Sequence, residues 1–134
     1  MTAGSVLSIK DFQFSDGGIS PLKLVIILNN PSAGEDYLLV KTTSKVHDKS
    51  NTQGCYSSEN YYFITKGQDK FHDNTWVIFD EYYQMTQAQM LSGITKTVIR
   101  DMFDLEKTLW TAVKNCILKS VDLPGDYEEM IKRC

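Results

Sequence analysis

Amine, hydroxyl and imidazole side chains crowd into residues 41–49, KTTSKVHDK: Lys41, Lys45, Lys49 and His47 stand against the single acid Asp48, around the hydroxyls of Thr42, Thr43 and Ser44. An ammonium holds a phosphate oxygen as a point charge. An imidazole, ordinarily titrating near ~6.5, exchanges protons at neutral pH. A plainer reading stands beside this one, because hydroxyls at a strand end commonly satisfy backbone groups of the following turn. The two histidines, His47 and His72, lie in polar stretches where a solvated imidazole is the common outcome, and Asp48, Asp69 and Asp73 surround them in no recognisable ligand pattern. No metal site and no cofactor are expected.

The elements that must position these groups read mainly as strands. Residues 5–14 alternate with a period near two and stop at the turn SDGG. Residues 22–28, LKLVIIL, form an apolar run bounded by NNP, residues 37–43 read as a third strand, and residues 61–65 and 75–80 as two more. Residues 44–60 read as a long, functional surface loop. Thr86 is placed to cap a short helix over residues 87–91 closed by Gly93, and residues 96–100 form a plausible further strand. From residue 104 the apolar spacing becomes three and four, so a C-terminal helix is expected over residues 104–121 with Asp104 as its N-cap. Pro124-Gly125 ends it, and residues 126–134 are a tail or a last helical turn. Short strands closely spaced, then a helix, predict an α+β, mainly β, single domain over residues 1–134.

Bulk properties narrow the function classes. The net charge of −3 argues against a generally basic surface that coats nucleic acid, though not against a local basic site. No apolar run approaches the ~18 residues a membrane span needs, and residues 1–14 show no export signal. Cys55, Cys116 and Cys134 form an odd set without CxxC spacing. Reduced thiols in the cytoplasm are therefore expected, with Cys55 an ordinary loop thiol. Trp76, Trp110 and Phe63 read as core. Tyr56, Tyr61, Tyr62, Tyr82 and Tyr83 suit base stacking, core packing or a subunit interface.

Three stretches carry a resemblance. Residues 4–17, GSVLSIKDFQFSDG, residues 23–29, KLVIILN, and residues 38–44, LLVKTTS, resemble in order and spacing the opening strands of the PemK/MazF toxin endoribonucleases, and residues 37–45 are similar to the ToxN-like branch. The resemblance implies an SH3-like, partly open β-barrel of five to six strands with a C-terminal helix, usually dimeric and cytoplasmic. It implies metal-independent cleavage of single-stranded RNA, the 2′-hydroxyl attacking its neighbouring phosphate, and a partner antitoxin that blocks the groove. The family's arginine is replaced, its nearest counterpart being Lys23. The candidate catalytic residues are Lys23, Thr42, Thr43, Ser44 and His47, and the candidate RNA contacts are Lys41, Lys45, Lys49 and Tyr56. The competing expectation is a non-catalytic barrel module that binds a protein target or the antitoxin.

Overall fold

The computed structural model describes residues 1–46 and 48–134. Seven strands, β1 (Ser5–Gln13), β2 (Ile19–Ile27), β3 (Tyr37–Thr43), β4 (Gly54–Tyr56), β5 (Tyr61–Ile64), β6 (Thr75–Met85) and β7 (Ile99–Asp104), form one antiparallel sheet in the order β4-β5-β6-β3-β2-β1-β7. Three helices, α1 (Gln87–Thr95), α2 (Lys107–Leu118) and α3 (Gly125–Lys132), complete a mainly β, α+β architecture. No helix among the described residues is long and apolar enough to cross a membrane. β4 and β7 are the two ends of the sheet.

Period two along the strands divides the side chains between two cores. Val6, Ile26, Leu28, Leu38, Val40 and Val77 pack with Leu109, Val113, Cys116 and Ile117 of α2 and Ile131 of α3. Leu7, Ile9, Val25, Ile27 and Leu39 face the other way and pack with Met90 of α1. With one face covered by α2 and α3 and the other by α1, the central strands read as near-continuous apolar runs. A third cluster, Tyr61, Phe63, Trp76 and Ile78, lies toward the β4 end.

The pairing of β6 with β3 is interrupted by a large irregularity. Leu39 pairs with Tyr83 but Lys41 pairs with Ile78, so residues 79–82 are set against the single residue Val40. A bulge of this size turns the strand and changes its twist: residues 76–78 pair with β5 on one side and the end of β3 on the other, and residues 83–85 pair with the start of β3.

Several sequence expectations need correction. Residues 44–60 contain β4 and a 3-10 turn at Ser57–Glu59 rather than loop alone. Asp104 does not cap the C-terminal helix: it ends β7 opposite Ser5, whose hydroxyl donates to its Oδ1 at 2.8 Å. The helix starts at Lys107 and stops at Leu118, and its entrance is held by Asp69, whose Oδ2 accepts the Glu106 N–H at 2.8 Å. Residues 126–134 are mostly the helix α3. Thr86 does cap α1, with Gln89 completing a capping box, and α1 continues to Thr95 past Gly93. A side chain at Gly93 would collide with Ile99, its Cβ 2.4 Å from Cδ1.

The cysteines also differ from expectation. Cys55 of β4 and Cys116 of α2 form a disulfide, and only Cys134 is free. Sixty-one residues apart in sequence, the two meet because β4 is carried by β5 over the buried face of α2, which spacing in the sequence cannot reveal. Stable disulfides belong to oxidising surroundings, so this bond counts against the expected reduced, cytosolic thiols.

Candidate functional site

The β2–β3 ladder runs from Ile27↔Leu39 to Val25↔Lys41 and stops, although both strands continue. Continuing the register sets Leu24 opposite Thr42 and Lys23 opposite Thr43. Here a side chain replaces a ladder bond, the Thr42 hydroxyl donating to the Leu24 carbonyl at 2.8 Å. The strands part, and a cleft of about 490 Å³ opens at this end of the sheet.

Three segments line it. β2 supplies Ser20, Leu22, Lys23 and Leu24, the end of β3 and its continuation supply Thr42, Thr43, Ser44 and Lys45, and the segment entering β6 supplies residues 70–73 and Thr75. β3 lies between β2 and β6 in the sheet, so Lys23 and the 70–75 segment flank the hydroxyls from opposite sides. Among the described residues Lys23, Lys45, Lys70 and His72 line the cleft with one acid, Asp73, the Lys23 ammonium itself lying over the Phe14 ring. The site is locally cationic in a protein of net charge −3, a setting that concentrates an anion.

Lys23 is partly buried, and its ammonium lies 5.5 Å from the Phe14 ring centroid, with Lys41 at 5.6 Å from the same ring. Burial first, and the nearby Lys41 charge second, lower the pKa of Lys23 from the ordinary lysine value. Two cations on one aromatic ring gain cation–π attraction and repel each other. Lys41 does not line the cleft. Glu81, which accepts a bond from the Ser15 hydroxyl and one from Tyr83 at 3.1 Å, has its carboxyl held low mainly by the Ser15 bond, then by the Tyr83 bond and by Lys41.

The hydroxyls differ in what they have left to offer. The Thr42 proton is committed to Leu24, leaving its oxygen as an acceptor. The Thr43 oxygen accepts the Lys45 N–H at 3.4 Å, leaving its proton available to a ligand. Ser44 is exposed. The turn-stabilising role anticipated for such residues is thus present, and compatible with contacting an anion.

Other candidates lie elsewhere. Lys49 sits over the Tyr61 ring at 5.2 Å, and Tyr56 stacks on the same residue with ring centroids 4.7 Å apart. The Tyr56 hydroxyl bonds to Ser50 and to the Thr52 carbonyl, so the ring serves the third apolar cluster and not the cleft. Tyr82 packs on Tyr127, and Tyr83 on Phe12. His47 lies outside the described residues. The two arginines, Arg100 and Arg133, are not part of the cleft lining.

Lys70 is absent from the sequence-based candidates, and His72 figures there only as a histidine whose common outcome is solvation. Their signal was Phe71, a single aromatic in the polar stretch 66–74. Phe71 is buried, packs edge-on against Phe103 at 5.2 Å, and so draws its neighbours to the cleft rim. Compared with family models, curated proteins and solved structures, the chain matches none.

Proposed function

We propose that this protein is a metal-independent endoribonuclease of the toxin type, cutting single-stranded RNA by attack of a ribose 2′-hydroxyl on the adjacent phosphate, on an SH3-like, partly open barrel. The observation that carries the reading is the cleft that opens where the β2–β3 ladder stops, lined together by Lys23, Thr42, Thr43, Ser44 and Lys45. Such a reaction needs positive charge on the pentavalent phosphorane and donors fixed where charge develops. Lys23 and Lys45 supply the charge, the Thr43 hydroxyl donates to a phosphate oxygen, and the Thr42 oxygen accepts from the attacking 2′-hydroxyl. Lysines hold the phosphorane as point charges, without the fork of an arginine. An antitoxin would close the cleft by setting acidic residues against these lysines.

On this reading the protein acts on RNA in the cytoplasm, a compartment the disulfide counts against. There the Cys55–Cys116 bond faces cellular reductants from its exposed Cys55 side, so activity is to be measured with and without reductant.

The test is single-stranded RNA incubated with the purified protein in excess EDTA. Cleavage leaving 2′,3′-cyclic phosphate ends is expected, lowered roughly 100-fold or more by Lys23→Ala, on the scale of losing one transition-state contact, with the circular dichroism spectrum unchanged. RNA left intact at high protein concentration overturns the nuclease reading in favour of a protein-binding module.

A further inference from the structure

We propose that His72 is the general acid of this cleft, delivering a proton to the 5′ oxygen that leaves when the RNA chain is cut. The inference rests on the nuclease reading and adds a residue to it.

Its first support is placement. An in-line displacement puts the entering 2′ oxygen and the departing 5′ oxygen on opposite sides of phosphorus. The two sides of the cleft are distinguishable. Thr42, whose oxygen is free only to accept, is tied by its own proton to Leu24 of β2. With that proton turned toward β2, the Thr42 oxygen accepts from the side away from β2, so a 2′-hydroxyl donating to it sets the phosphate, and beyond it the 5′ oxygen, toward the segment entering β6, where His72 lines the cleft.

The second support is rigidity around an exposed side chain. Asp69 accepts the Glu106 N–H, Phe71 is buried in the main core, and the Lys66 N–H donates to Asn74 Oδ1 at 2.8 Å. The Thr75 hydroxyl donates to the Asp73 carbonyl at 3.0 Å, and Thr75 begins β6. His72 therefore sits on backbone pinned on both sides, the arrangement a proton donor needs to stay within reach of one atom. The charged groups sharing the cleft with it are Lys70 and Asp73 of its own segment, Lys23 of β2 and Lys45 after β3.

The step balances without a cofactor. Solvent hydroxide takes the 2′ proton, the 2′ oxygen bonds to phosphorus, and the bond from phosphorus to the 5′ oxygen breaks as the His72 imidazolium gives that oxygen its proton. The products are a cyclic phosphate and a 5′-hydroxyl. The neutral imidazole then recovers a proton from water, restoring the hydroxide.

The test compares two RNAs that differ in one atom, the normal 5′ oxygen or a bridging 5′ sulfur at the scissile phosphate, a thiolate leaving group that needs no proton. Each is incubated with the wild-type protein, His72→Ala and His72→Gln, with thermal melts confirming the fold. The expected result is a loss of 100-fold or more for both variants on ordinary RNA, as for removal of a general acid, and near wild-type rates on the sulfur substrate. Wild-type rates on both RNAs, or an equal loss on both, would overturn the acid role while leaving the nuclease reading intact. Should the wild-type protein cut neither RNA, the nuclease reading falls and the role of His72 with it.

Discussion

Lys23 shows how a residue's neighbours set its chemistry. An ordinary lysine is charged to well above neutrality, but this one is partly buried and shares the Phe14 ring with Lys41, and both causes favour the neutral amine. It loses its proton at a lower pH in the folded protein than in the unfolded chain. Between those two pKa values the unfolded chain binds more protons, so this site's contribution to stability rises with pH through that window and is lowest below it. Lys41→Met removes the smaller cause. A titration of the Lys23 Nζ followed by nuclear magnetic resonance should then move to higher pH, yet stay below an exposed lysine because burial persists. An unmoved titration would show that the two ammoniums do not sense each other.

Among elements, β4 is the weakest, with three residues at the edge of the sheet and one neighbouring strand. Its pairing with β5 is supplemented by the disulfide to α2. Closing a loop of this length stabilises a fold by roughly 2–4 kcal/mol, chiefly by restricting the unfolded chain. Cys55→Ala, which leaves the buried Cys116 thiol in place, should lower Tm by roughly 5–15 °C, and adding dithiothreitol to the wild-type protein should reproduce that fall. If the melting curves coincide with and without reductant, the bond contributes nothing in solution.

On the scale of the whole molecule, the cleft wall is an outgrowth of the core. Phe71 lies among Val77, Leu105 and Leu109 in the cluster shared by the sheet and α2, and the residues on either side of it face the cleft. Phe71→Ala should cost about 3–5 kcal/mol, as large aromatic truncations in cores do. It should also raise amide hydrogen exchange in residues 66–75 more than in β1 or β2. A uniform rise across the sheet would mean that the segment is held by its own turns and not through Phe71.

Much of the fold was legible because local pattern and final environment agree. Residues 37–43 alternate or run apolar as β3 does, and Leu109, Val113, Cys116 and Ile117 show the helical spacing that α2 buries. The sequence failed where a distant partner decides the outcome: Asp104 looks like a cap until Ser5 claims it for the β1–β7 pair, and Cys55 and Cys116 look unrelated until β5 brings β4 over α2. Lys23, Thr42, Thr43, Ser44 and Lys45 were grouped through the family resemblance, and they line one cleft because Lys23, midway along β2, lies just past the point where the ladder with β3 stops. Lys70 carried no such signal, His72 offered only an imidazole in a polar stretch, and nothing in the sequence foretold the displacement of Lys41, Lys49 and Tyr56 from the cleft. What the amino acids settle by themselves is each segment's preferred period and which chemical groups it carries. Which groups meet is set by strand order and by the irregular pairing of β6 with β3, and these follow from long-range packing that no single segment encodes.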